Sequence, residues 1–290
     1  VQLTTFQAVI AEGSFEAAAR ALHVTPSAVS QRIKALEQDV GQVLVRRSKP
    51  AAPTEAGQAL VRYAGQVALL EREALAAARG GLAGSRVRIS VVVNADSLHT
   101  WFLPALTRLP DVLFDLHQDD PEDTADLLRT GTAMAAVTAQ HVAVQGCRVE
   151  RLGAMRYLPV AAPSLPVEDF ATTPVVLLNR KDQLQHRFLA ALTRRRLDPP
   201  VHYVPAAAAF VDAIRLGLGW ALVPEQIARE DIAAGRVVEL TPGRHLDVPL
   251  YWQYWRMESD VLTALTEAVK AVAAEVKAEA PAKEAAATPG

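Results

Sequence analysis

Apolar residues fall at helical spacing from the start of the chain. Leu3, Phe6, Val9 and Ile10 share one face of a helix predicted over about residues 2–11. Gly13 stops it, and Ser14 is a good N-cap for an Ala-rich helix over about 15–22 (Phe15, Ala18, Ala19, Leu22). Small residues there let a second helix cross closely. His23-Val24 is the turn. Thr25 caps a third helix, with Pro26 at its first position, where a missing N–H costs nothing. Ala28, Val29, Ile33 and Leu36 face inward on that helix, which leaves Ser27, Ser30, Gln31, Arg32 and Lys34 outward. Gly41 ends it. Val43-Leu44-Val45 reads as a short strand and Arg46-Arg47-Ser48-Lys49-Pro50 as a basic turn.

Thr54-Glu55 then caps a long helix over about 54–79, about 39 Å at the usual rise per residue. Its stripe of Leu60, Ala64, Val67, Leu70, Ala74 and Ala77 is close to heptad spacing, so it is expected to pair with its own copy. Gly80-Gly81 and Gly84 make a hinge. Beyond it, strand-like runs (87–93, 113–117, 134–138, 157–162) alternate with helical ones, and a second alternating series runs from 174 to 255. That rhythm predicts α/β structure with mostly parallel sheets. The expected organisation is a DNA-binding unit over 1–54, a linker helix over 55–80, a first lobe over 86–160 plus 262–277 and a second lobe over 161–261. The tail 278–290 (AEAPAKEAAATPG) is low in complexity and expected to be disordered.

The 290 residues are half hydrophobic, an ordinary globular composition, and suffice for two or three domains. One cysteine, Cys147, excludes an internal disulfide framework and a cysteine-based zinc cluster, and it fits a cytoplasmic protein. Residues 1–10 lack the pattern of a secretory signal, and no run approaches the length of a membrane span. The net charge of −2 argues at first against a nucleic-acid partner. Residues 1–53, however, hold six basic residues (Arg20, Arg32, Lys34, Arg46, Arg47, Lys49) against four acidic ones (Glu12, Glu16, Glu37, Asp39). A local patch, not the whole-chain charge, sets phosphate attraction. No H-E-x-x-H, C-x-x-C, G-x-G-x-x-G or G-x-S-x-G is present, and the histidines are scattered, so neither a catalytic nor a metal site is predicted and no cofactor is expected.

The stretch SFEAAARALHVTPSAVSQRIKALEQDVG followed by VLVRRSKPAAPTEAG closely resembles the LysR-type transcriptional regulators. The resemblance continues through Leu103-Pro104 and GLGWALVP (217–224) and covers nearly the whole chain. PAAPTEAG (50–57), NADSLHTWFLPAL (94–106) and GCRVERLGAMRYLPVA (146–161) are similar to the ArgP/LysG branch, which responds to basic amino acids. The resemblance implies an α+β multidomain chain: a winged helix-turn-helix, a linker helix, and a two-lobed α/β effector domain like periplasmic binding proteins. It also implies a homodimer or tetramer on double-stranded DNA, with RNA polymerase as a further partner if the chain is an activator. A subset of this branch is described as binding replication-origin DNA, so an origin protein without an essential ligand stands as the alternative.

Matched to the family motif, Pro26, Ser27, Ser30 and Gln31 meet base edges in the major groove, where Gln31 can pair bidentately with adenine. Many relatives carry Arg at the Gln31 position, so the base preference here is its own. Arg32 and Lys34 suit phosphates. Arg46, Arg47 and Lys49 on the wing suit the backbone or a narrow minor groove. Thr25 and the helix start can hold another phosphate.

Two βαβ lobes leave a cleft beyond the carboxyl ends of their strands. Asn94, Asp96, Ser97 and Thr100 follow the first strand of that domain, and Ser97 and Thr100 are expected to hold a carboxylate there. Ser97 also lies at the spacing from Pro104 where family members place a ligand-binding hydroxyl. Asp119 and Asp120, at the end of the next strand, are expected to meet an ammonium or guanidinium group. Ser97 as a plain helix cap and the acidic run as a solvated loop are the competing readings. The expected effector is lysine or arginine.

Overall fold

The computed structural model describes residues 1–78, 87–118 and 121–286. The glycine hinge and the two carboxylates Asp119 and Asp120 lie outside the described residues.

Three short helices open the chain: α1 (Gln2–Glu12), α2 (Phe15–Ala21) and α3 (Pro26–Val40). The polar residues at their starts act as the sequence suggests. Ser14 accepts from the Ala17 amide, and Thr25 accepts from that of Ala28 at 3.2 Å. Gly13 and Gly41 both take positive φ, so each ends a helix where a side chain would strain the backbone. Phe6, Val9, Ala18, Ala19, Val29, Ile33 and Leu36 form the core of this unit. A two-stranded wing follows, β1 (Val45–Arg46) paired antiparallel with β2 (Ala52–Pro53). The wing strand begins at Val45 rather than Val43, because Leu44 and Val45 turn inward while Val43 is exposed.

The linker helix α4 (Glu55–Ala78) belongs to two cores. Val61 packs into the N-terminal unit, and Leu69 into the effector domain. Arg62 donates to the carbonyl of Arg129 at 3.0 Å, and Glu73 accepts from the Ser259 hydroxyl at 2.6 Å and the Val261 amide at 3.1 Å. Glu73 thus caps a helix of the effector domain from outside it. The outer face keeps Tyr63, Leu70 and Leu75 exposed, at 55%, 39% and 47%.

The effector domain is built on a seven-stranded sheet. Its path runs β10 (Val238–Glu239), β6 (Cys147–Ala161), β11 (Leu246–Trp255), β5 (Ala135–Thr138), β3 (Val87–Val93) and β4 (Val112–Gln118), with β9 (Ala221–Pro224) also on β6. β7 (Val175–Leu177) and β8 (Val201–Tyr203) form a parallel pair beside it. Only β3 with β4 and β3 with β5 are parallel within the large sheet; its other pairings are antiparallel. The expectation of mostly parallel sheets therefore fails here. The cause is β6 and β11, two long antiparallel strands that run through both lobes. Their register slips between Leu250 and Tyr251, opposite Gly153, whose φ of 146° suits glycine.

Around the sheet lie α5 (Ala95–Thr100), α6 (Leu103–Thr107) and α7 (Pro121–Arg129) on the first lobe. The second lobe carries α8 (Leu184–Thr193), α9 (Ala207–Arg215) and α10 (Glu225–Ala233). The helix α11 (Asp260–Ala286) packs back on the first lobe. It extends past residue 277, through Ala- and Glu-rich sequence of high helix propensity, where the sequence suggests a disordered tail. Trp101, Phe102 and Trp252 fill the first lobe; Trp220 is buried in the second.

Candidate functional site

The N-terminal unit presents one polar face. Thr25, Pro26, Ser27, Gln31 and Lys34 are exposed on and beside α3, and Ser30 is half-buried among them. On the wing Arg46, Arg47 and Lys49 are all exposed, with the Arg47 guanidinium 5.1 Å over the Phe15 ring. Ser27 and Thr25 share a hydrogen bond at 3.0 Å, which fixes the start of the reading helix. Arg32 is the exception. It is half-buried and donates to the Thr5 hydroxyl at 3.4 Å, so it is tied to α1.

Glu37, which the sequence flags only as part of a motif, sets the wing against this helix. Its Oε1 accepts from the amides of Leu44 at 2.8 Å and Val45 at 3.3 Å. Thr54 completes the arrangement by donating to the Val43 carbonyl at 2.7 Å and accepting from the Gly57 amide at 3.0 Å. The head can therefore offer a rigid polar helix and a basic wing to one DNA face. Gln31→Ala is expected to relax selectivity at one base position by about 1–3 kcal/mol, whereas Lys49→Ala weakens all sequences evenly and flattens the salt dependence. Binding titrations on variant DNA sites at two salt concentrations check this; equal, sequence-independent losses would contradict it.

Between the lobes lies a cavity of about 390 Å³. The first lobe contributes Asn94, Asp96 and Gln118; the second contributes Tyr157, Asn179, Asp182, Gln185 and Phe210; and Val248 and Leu250 line it from β11. Asp96 and Asn94 line the cavity. Ser97 and Thr100 do not line the cavity. Ser97 is fully buried with an unpartnered hydroxyl, and Thr100 donates to its own helix at the Asp96 carbonyl, 2.6 Å away. Asn179 and Phe210 line the cavity from the second lobe.

Tyr157 spans the lobes by donating to Asp96 Oδ2 at 2.6 Å. Burial pushes the Asp96 carboxyl above its ordinary range, Tyr157 partly offsets this, and the charge of Asp182 adds to the rise. Burial likewise raises Asp182, against the amides of Leu184 and Leu178 that its carboxylate caps at 3.0 and 3.1 Å. The phenol of Tyr157 is raised well above its usual value, first by burial and then by Asp96. Asp182 carries no motif in the sequence; only the polar run Asn179–Gln183 before an apolar helix hints at a cap. A larger cavity of about 560 Å³ lies against α11, but its Glu150 is already matched by Lys270 and Tyr254.

A winged helix-turn-helix, a long linker helix and a two-lobed domain with a cleft define a ligand-responsive class of bacterial DNA-binding regulators. The family described as bacterial regulatory helix-turn-helix protein, lysR family, matches residues 1–58, and the LysR substrate binding domain matches residues 80–279. The chain belongs to the LysR family of transcriptional regulators. It is 45% identical over 284 residues to the lysine export transcriptional regulatory protein LysG of Corynebacterium efficiens, covering 93% of this chain and 96% of that one. The crystal structure of ArgP from Mycobacterium tuberculosis superposes with a TM-score of 0.85 at 47% identity, over 94% of this chain and 96% of that chain. Full-length LysG from Corynebacterium glutamicum with bound effector Arg superposes with a TM-score of 0.78 at 43% identity, over 94% and 97%.

Proposed function

We propose that this regulator changes its hold on DNA when lysine or arginine binds between its lobes, and that it controls export of a basic amino acid or a related gene. One observation carries the reading: the cleft presents buried carboxylates from both lobes, the chemistry a cation requires. The Corynebacterium relatives, one named for lysine export and one holding arginine, support it. The exposed apolar residues Tyr63, Leu70 and Leu75 on α4 support pairing with a second copy, as a dimer or a tetramer of two dimers.

The coupling we infer runs along β11. Its residues Val248 and Leu250 line the cleft, and the strand ends at Trp255, four residues before Ser259, which Glu73 of the linker helix holds. A ligand that favours one lobe angle thereby biases the linker and the spacing of the two DNA heads.

A thermal-shift screen against the twenty amino acids tests the reading. At about a hundred times the dissociation constant a ligand adds about 2.7 kcal/mol, so arginine or lysine is expected to raise Tm by about 5–10 °C. Stabilisation by an aromatic acid, with none from the basic amino acids, would contradict it.

A further inference from the structure

The cleft is rich in acceptors. Besides Asp96 and Asp182, it is lined by Asn94 and Gln185, whose Oδ1 and Oε1 are buried without a hydrogen-bond partner. Gln185 is only 1% exposed, and its amide nitrogen is committed to the Val176 carbonyl at 3.3 Å. Buried acceptors without donors are costly, and they are rare unless something else supplies the donors. The groups acting on Asp96 are Tyr157, Asp182 and His99; those on Asp182 are the Leu178 and Leu184 amides, Gln185 and His186. Among the described residues, none of these groups is a lysine or an arginine. The cations of the cavity wall, Lys181 and Arg187, are exposed at its rim.

We propose that the side-chain cation of the effector is clamped between Asp96 of the first lobe and Asp182 of the second, with Asn94 and Gln185 as neutral acceptors. The inference rests on the reading of the cleft as a basic amino-acid site, and it names which groups read the charge. A guanidinium carries five N–H donors in a fixed plane and can serve several acceptors at once. The amino acid's own carboxylate then turns outward, toward Arg187 at the rim. Because one carboxylate stands on each lobe, the cation relieves their mutual repulsion only when the lobes are together. Charge recognition and lobe closure become the same event.

The proton balance follows. Burial favours the protonated acids, and a bound cation favours the ionised ones, so binding releases protons and weakens as the pH falls. Tyr157, His99 and His186 face the same two carboxylates.

Calorimetry with arginine and with citrulline, its uncharged isostere, tests the clamp. The wild-type chain is expected to prefer arginine by about 100-fold or more, since the missing charge leaves buried groups unpaired. Asp96→Asn keeps an acceptor for the Tyr157 hydroxyl, whereas Asp182→Asn keeps one for only one of the Leu178 and Leu184 amides; each is expected to collapse that preference at least about 10-fold. Should a variant fail to fold, the wild type alone still decides. As the pH is lowered, the affinity for arginine should fall more steeply than the affinity for citrulline. Equal affinity for the two ligands, an unchanged preference in both variants, or an arginine affinity no more pH-dependent than that of citrulline would overturn the clamp while leaving a basic amino-acid site intact. No arginine binding by the wild type would overturn the effector reading itself.

Discussion

Alanine at position 57 is expected to abolish DNA binding without altering any residue that faces DNA. Gly57 sits in the first turn of α4, and a Cβ there would stand 2.1 Å from the Leu44 carbonyl oxygen and 3.2 Å from the Pro53 side chain. The obstacle is backbone and cannot move aside. Leu44 is fully buried, its amide is held by Glu37, and its carbonyl accepts from the Thr54 amide at 3.0 Å. Alanine would gain about 1 kcal/mol in helix propensity, but overpacking of this kind costs about 3 kcal/mol and displaces the wing from the reading helix. Thermal melts and DNA titrations of Gly57→Ala, with Gln58→Ala as a neighbouring control, check this. Arginine binding should persist, since the cleft lies in the other unit. A variant that binds DNA normally would contradict the packing described here.

The converse loss is expected from Asp231→Ala. Asp231 is 2% exposed and accepts two hydrogen bonds from Arg215, both at 2.8 Å, and one from Arg236 at 2.6 Å. Burial alone would raise its carboxyl, but the Arg215 and Arg236 contacts outweigh burial and hold it below the ordinary carboxylate value. Removing Asp231 takes the carboxylate from Arg236 and from one side of Arg215, which keeps Asp212 at 2.8 Å; both guanidiniums reach solvent, so the loss is about 1–3 kcal/mol. Denaturant unfolding of the variant should show that loss at neutral pH. Because the carboxyl is lowered in the folded chain, its stabilisation is complete above the ordinary pKa and fades as pH falls through the folded value. The gap between wild type and variant should therefore narrow below about pH 4. The second lobe supplies Phe210, Asp182 and Leu222 to the cleft, so the effector response should fail while the head still binds DNA.

The head was legible in the sequence because each of its signals is local. Ser14, Thr25-Pro26, Gly13 and Gly41 act within a few residues of where they stand. The roles of Glu37 and Gly57 were not legible, since both depend on Leu44 meeting them across a turn. The cleft was legible only in part. Asp96 and Asn94 follow a strand whose end can be read, whereas Asp182 reaches the cavity through the pairing of β7 with β8. Thr100 shows how a local backbone contact can claim such a hydroxyl. A hydroxyl near a helix start suggests a ligand contact, but the backbone carbonyl four residues earlier takes its proton. The antiparallel sheet was hidden for a third reason. β6 and β11 pair over most of their length, and that long-range pairing, with its slip at Leu250/Tyr251, leaves no local mark in the sequence.

The central claim is that a basic amino acid in the cleft changes how a LysR-family head engages DNA. Its most direct test is footprinting on a fragment selected for tight binding by the full chain, with and without arginine. Two protected half-sites spaced by whole helical turns are expected, as paired linker helices require, and arginine but not citrulline should change the protection between or beside them. A footprint identical with and without arginine, at concentrations that saturate the cleft, would contradict the account and favour a DNA-binding protein that ignores ligands.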